Sequence, residues 1–215
     1  ELMKFERIDM NQWDRADLFR HFIENMRCVM SLTVDVDVTH FLDYVKANGL
    51  KFYPSMLWVV SRAINGRPEF RMGYGPEGDV FRWDFVSPYY AHFYPEEEAF
   101  AKLVTEYHPD FAAFHSRFLA DRARFQNERG FSLKNIPPNV FDVSCLPWVS
   151  YKSVDMHIFD SGTYLAPVVT WGRFTRHGSR ATMPLSMNIH HAVADGFHLC
   201  RFFADVQQLF NRMGG

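Results

Sequence analysis

The sequence has little cysteine, no long apolar run and almost no net charge, and each shortage closes off a class of protein. Its 3 cysteines among 215 residues, Cys28, Cys145 and Cys200, are odd in number, far apart and free of Cys-x-x-Cys spacing. A disulfide framework is thereby excluded as the main support, and a reduced, cytoplasmic protein is the simpler reading. No apolar stretch approaches the ~20 residues of a membrane-spanning helix, and the first residues lack the charged-then-apolar layout of a signal peptide. A formal charge of −2 gives no electrostatic reason to expect nucleic acid or an anionic membrane as partner. Internal repeats, low-complexity tracts and Gly/Ser-rich or Pro-rich linkers are absent too. The length suits one large domain, so residues 1–215 are read as a single unit.

Aromatic side chains are abundant instead. Phe, Trp and Tyr make up 17% of the chain, led by 22 Phe, within a hydrophobic content of 47%. That is enough for a sizeable packed core.

The spacing of apolar residues places the elements. Trp13, Leu18, Phe19, Phe22, Ile23 and Met26 recur at helical intervals over 12–27. From Cys28, "CVMSLTVDVDV" is β-branched and alternating, which predicts a strand. "DYVKANG" reads as a helix end capped by Gly49, and a second helix after Pro54 closes at Gly66. Gly73 to Asp79, "GYGPEGD", predicts a hairpin connection. Strands are expected over 80–86, 88–94, 140–145, 148–158 and 164–171, with a long amphipathic helix over 109–129. Near the end, Met183, Leu185, Met187 and Ile189 alternate with Pro184, Ser186, Asn188 and His190, so one face of that strand is buried. Leu199, Phe202, Phe203, Val206, Leu209 and Phe210 then recur at helical spacing. Helices mixed with a largely antiparallel or mixed sheet predict an α/β two-layer sandwich with the helices on one face.

The junction between that strand and helix reads "NIHHAVADGFH", residues 188–198. His191 keeps the parity of Met187 and Ile189 and should leave the strand end inward, while His190 points the other way. An inward, partly shielded histidine can act as a general base near neutral pH. Gly196 permits the bend beside Asp195. Zinc binding by His190, His191 and His198 is disfavoured, because the first two point to opposite faces and no Cys or carboxylate stands at ligand spacing. No metal is expected. A structural histidine beside a turn-forming Asp-Gly remains the plain alternative for so short a pattern.

The longer string "MPLSMNIHHAVADGFH" resembles the chloramphenicol acetyltransferase family. So do "WDRADLFRHF", "CVMSLTVDVD", "LKFYPSMLWVVSRAIN", "PEFRM", "VSCLPWVSY" and "LAPVVTWGRF", which follow the family's order and spacing over nearly the whole chain. The histidine motif alone also occurs in dihydrolipoyl acyltransferase cores and peptide-synthetase condensation domains. A condensation domain is about twice as long, and the lipoyl domain and linker of the former are not seen here.

The resemblance implies one acetyltransferase domain that moves acetyl from acetyl-CoA, as co-substrate, to a hydroxyl of chloramphenicol, without an acyl-enzyme. His191 matches the family's catalytic base, and Ser144 matches the serine that donates to the tetrahedral oxyanion. Asp195 and Arg15 match an ion pair that holds the turn, expected to be buried. Thr170 matches a threonine that positions a water. Lys51, Tyr53, Trp148, Arg173 and Phe174 match the coenzyme A site, with Phe174 where a tyrosine is common. On the acceptor side Phe22 stands where the family has a tyrosine able to hydrogen-bond the drug, and Cys28 belongs to the same side. Ala194 replaces a frequent cysteine. The stretch 87–118 departs from the family while keeping an aromatic lining. The family also implies a homotrimer in which one subunit's histidine faces a pocket built by its neighbour. No Gly-x-Ser-x-Gly elbow suggests a serine nucleophile. Two other classes stay open: an acyltransferase for a different hydroxyl, and a non-catalytic protein that binds a small apolar ligand.

Overall fold

The structure, a computed structural model, describes residues 4–213. Its larger sheet is mixed and has seven strands, six of them in the order β2 (Val29–Asp37), β10 (Arg180–His190), β8 (Val168–Gly172), β7 (Val140–Leu146), β5 (Ser87–Tyr94) and β6 (Ala99–Val104). The short β9 (Thr175–His177) adds to β10. Only β5–β7 and β7–β8 pair in parallel. A separate three-stranded sheet joins β1 (Phe5–Arg7), β4 (Val80–Trp83) and β3 (Met72–Tyr74). The hairpin expected at Gly73 to Asp79 links β3 to β4, with Tyr74 opposite Val80.

Among the described residues five α-helices accompany the sheets: α1 (Ala16–Arg20), α2 (Thr39–Ala47), α3 (Phe52–Asn65), α4 (Phe111–Arg124) and α5 (Gly196–Arg212). Helix α3 is buried on nearly every side because it is flanked by α5 and α4 and lies on β5. The apolar stripe of α5 follows the predicted spacing: Leu199, Phe202, Phe203, Val206 and Phe210 are buried, while Leu209 is half-buried at its edge. Each such side chain stabilises the fold by roughly 1.5–3 kcal/mol relative to exposure. Gly49 ends α2 with φ +62°, the left-handed geometry that glycine adopts without strain.

Several expectations are corrected. The helix expected over 12–27 is shorter: α1 covers 16–20 and widens into a π-helical turn over His21–Asn25. The strand expected over 80–86 ends at Trp83, and that expected over 164–171 begins at Val168. No strand forms over 148–158. There Tyr151 and Asp155 bond by their side chains to Thr170, Ser186 and Asn188, so the segment lies over the sheet and not within it. This cover explains a further correction: Pro184, Ser186, Asn188 and His190 on the second face of β10 are buried as well as the apolar set. Strand β6 has no alternating signature, because Lys102 is buried and Phe100 exposed within it.

One feature of register positions the site. Pairing between β5 and β7 stops at Tyr90–Val143. Yet β5 runs on to Tyr94 along β6, and β7 to Leu146 along β8. The sheet therefore opens between them.

Candidate active site

The first cluster forms where β10 ends. His191 leaves the strand as its backbone N–H donates to the Cys28 carbonyl at 2.8 Å. Its Nδ1 lies 3.0 Å from the Ala194 carbonyl and 3.3 Å from Asp195 Oδ1. A carbonyl only accepts, so Nδ1 carries the proton and Nε2 keeps its lone pair. The Phe22 ring, delivered by the π-helical turn, stacks on the imidazole with centroids 4.0 Å apart and planes 12° from parallel.

Arg15 clamps the turn. It donates to both Asp195 oxygens, at 2.9 and 2.6 Å, and to the carbonyls of Ala192 and His191 at 2.8 and 2.7 Å. These bonds, with the charge behind them, hold the Asp195 carboxyl below the usual carboxylate range. The pair differs from expectation in one respect: the Arg15 side chain is 13% exposed but that of Asp195 is 40% exposed. It is an anchored pair at a surface and not a fully buried one. His198, considered above only as a metal ligand, accepts the Asp195 N–H on Nδ1 at 2.9 Å and so fixes the start of α5. His190 points to the other face, as parity predicts, and its Nδ1 accepts the Ala192 N–H at 3.1 Å. No group of metal-ligating side chains occurs among the described residues.

The second cluster lines a cleft of about 900 Å³ that passes through the opening between β5 and β7. Ser144, Tyr53, Trp148, Arg173 and Phe174 all lie on it. Ser144 stands level with Thr170, and Thr170 with Ser186, in one row across the sheet. Thr170 is buried and its hydroxyl has no protein partner, which suits a residue that holds a water. Tyr53 donates to the Ala91 carbonyl at 2.7 Å, and burial raises its pKa. Cys145 faces the helix side, where burial pushes its thiol up to about 12. Such a thiol stays protonated and unreactive. Lys51 is exposed at the head of α3, beside the lining residues Phe52 and Tyr53 and not in the cleft wall.

Sequence reasoning missed part of this wall. Phe100 and Phe131 meet edge to face at 5.7 Å although 40% and 71% exposed, an apolar pair turned toward the opening. Met156 lies on the same cleft. Lys102, buried, bonds to Asp142 at 3.2 Å and to the Tyr89 carbonyl at 2.9 Å. The only sequence hint was the density of Phe, which marks no single position.

The structure does not bring the two clusters together. His191 lies five residues along β10 from Ser186, and Ser144 lies two strands across from it. At about 3.3 Å per residue and 4.8 Å per strand, the two are roughly 19 Å apart. Within one chain they cannot act on the same atom. Arg15, Phe22, Cys28 and Asp195 belong with His191, and Tyr53, Trp148, Arg173 and Phe174 with Ser144.

Comparison with known proteins bears on what these clusters are. The family model described as chloramphenicol acetyltransferase matches residues 3–207. The chain is 38% identical over 206 residues to "Chloramphenicol acetyltransferase 2" of Escherichia coli, covering 95% of this chain and 96% of that protein. It is 35% identical over 208 residues to a chloramphenicol acetyltransferase of Clostridium butyricum, covering 96% and 95%. A solved chloramphenicol acetyltransferase superposes with a TM-score of 0.81 at 24% identity, over 98% of this chain and all of that one. The truncated catalytic core of a 2-oxoacid dehydrogenase complex from Thermoplasma acidophilum shares the fold more distantly, with a TM-score of 0.67 at 16% identity over 98% of this chain and all of that one. On sequence and architecture together, this acyltransferase chain belongs to the chloramphenicol acetyltransferase family.

Proposed function

We propose that the chain transfers acetyl from acetyl-CoA to a hydroxyl of chloramphenicol with His191 as general base. The observation that carries this reading is the fixed tautomer of His191: the Ala194 carbonyl holds the proton on Nδ1 and leaves Nε2 basic. In the reaction Nε2 takes the acceptor's hydroxyl proton as that oxygen attacks the thioester carbonyl. The Ser144 hydroxyl donates to the oxyanion that forms. As the tetrahedral centre collapses the C–S bond breaks, and the imidazolium returns its proton to the departing thiolate. Asp195 stabilises the imidazolium through Nδ1–H, and Arg15 keeps Asp195 and the turn in place. A positioned base of this kind contributes about 10²–10⁴-fold, and one oxyanion donor about 10²–10³-fold.

The separation of His191 from Ser144 favours a site shared between copies, one giving the base and the next the oxyanion donor and cleft. A homotrimer closes such head-to-tail contacts. The two mouths of the cleft suit two substrates: coenzyme A on the side of Lys51, Tyr53, Arg173 and Phe174, and the acceptor on the side of Phe100 and Phe131. Direct transfer then needs both bound at once and no acyl-enzyme. Residues 1–215 act as one acetyltransferase domain. Its three cysteines are all free thiols, which suits the cytoplasm. No described helix is long and apolar enough to cross a membrane.

A second reading keeps the chemistry and changes the acceptor. The ring over His191 is Phe22, which offers no hydroxyl to a polar substrate. Release of free thiol from acetyl-CoA, measured with and without chloramphenicol and with His191→Ala, decides between them. Thiol release that needs both drug and His191 is the expected result. Coenzyme A binding with no drug-dependent release would overturn chloramphenicol as acceptor and leave the second reading.

A further inference from the structure

On the helix side of the opening the cleft wall carries His92. Its neighbour Ala91 would stand level with Ser144 had the pairing of β5 and β7 continued one residue further. The His92 side chain points to the opposite face from Ala91, toward α4, and lines the cleft near Tyr53. Arg122 reaches from α4 to place Nη1 against His92 Nδ1. A guanidinium N–H can only donate, so Nδ1 accepts and the neutral ring carries its proton on Nε2.

The surroundings hold that state. The Nε of Arg122 is buried without a partner, and among the described residues no carboxylate pairs with this guanidinium. Its charge opposes a second one on the ring. Burial, with the Arg122 and Arg129 charges adding, pushes the His92 pKa down to about 4. Tyr94 meets the imidazole edge to face at 4.6 Å, and the Arg129 guanidinium lies over the Tyr94 ring, 3.6 Å from its centroid. The ring is thus a neutral, oriented N–H donor in a wall that is mostly apolar. Few, well-placed polar groups in an apolar cleft are what orient a ligand.

We propose that His92, held by Arg122, donates a hydrogen bond from Nε2 to an amide carbonyl of the pantetheine arm of the acyl-CoA donor. The proposal rests on the acetyl-CoA reading above. It commits to the arm because of reach: the thioester must lie beside Ser144, and His92 stands roughly 5–10 Å away across the opening. At that distance from its sulfur the donor presents amides, and its phosphates lie further out toward Lys51.

His92→Val removes the donor while keeping a residue suited to a strand. The KM for acetyl-CoA should rise about three- to tenfold, the worth of one neutral hydrogen bond, with kcat and the acceptor KM unchanged. S-acetylpantetheine, which lacks the nucleotide, should show the same rise. Arg122→Gln, still able to donate to Nδ1, should keep the wild-type KM, and Arg122→Leu should show part of the loss. An unchanged KM for both donors in His92→Val, or a rise confined to acetyl-CoA, overturns the proposal. A wild-type protein that neither binds coenzyme A nor turns over acetyl-CoA would overturn the donor reading itself, a result distinct from either.

Discussion

The two ends of this site are built in different ways. The His191 end is almost a single stretch of chain: the last residues of β10, a tight turn and the first turn of α5, tied down by Arg15 from near the N-terminus. The Ser144 end exists only where β5, β7 and β8 come together from distant parts of the sequence. The first is a local device held by hydrogen bonds; the second is an opening in a sheet, made by where pairing stops. A polar turn can be tuned by single residues, whereas an opening depends on register across several strands.

The largest effect should come from separating the two ends. His191→Ala should lower turnover by about 10²–10⁴-fold or more with the fold retained, and Ser144→Ala by about 10²–10³-fold with coenzyme A binding retained. Mixing the two inactive variants under conditions that exchange subunits gives the sharper result. If base and oxyanion donor come from adjacent copies, roughly one quarter of the sites regain both groups in a randomly mixed assembly. Activity that stays at background would place both groups in one chain and contradict the 19 Å separation estimated above from strand geometry (~3.3 Å per residue).

Next in size is Arg15→Ala. Its loss leaves Asp195 and two carbonyls without their donor, at a cost of about 2–3 kcal/mol, or roughly 5–10 °C in melting temperature for a chain this long. The rate should fall as well, because the turn carries His191. The effect has a pH signature. Asp195 has a lowered pKa in the folded protein through its Arg15 bonds, so this stability is present above the unfolded value of ~3.9. It is lost as pH falls through the folded value. The gap in melting temperature between wild type and Arg15→Ala should therefore narrow in acid below about pH 4. A gap that is constant down to pH 2 would sink the ion-pair account. Solvent screening at the exposed carboxylate keeps the electrostatic share modest.

The smallest expected change is Phe22→Leu, which removes the ring stacked on His191. The contact is worth ~0.5–1.5 kcal/mol, so turnover should drop about two- to tenfold while coenzyme A binding at the other end is untouched. A loss as large as that of His191→Ala would show that the ring does more than support the imidazole.

What could be read from the chain follows the same division. The stripe of Leu199, Phe202, Val206 and Phe210, the alternation before His191 and the glycine that ends α2 all depend on neighbours within a few residues. So does the direction of His191 relative to His190. Against this, 148–158 has a strand-like composition but was drawn over the sheet by Tyr151 and Asp155, whose partners lie far along the chain. Phe100, Phe131 and His92 carry no local sign of a shared cleft, and they line one only because of the order β7-β5-β6 and the packing of α4.

The sequence by itself thus determined most helices and strands, the His191 turn, and the family, since each is written in local periodicity or contiguous motifs. Only the tertiary structure decided that β10 is buried on both faces, that β5 and β7 part after Tyr90 and Val143, and that His191 and Ser144 stand apart within one chain. The physical reason is that side-chain period is a property of a few consecutive residues, whereas strand order and the point where pairing ends are set by contacts between segments that no local pattern relates.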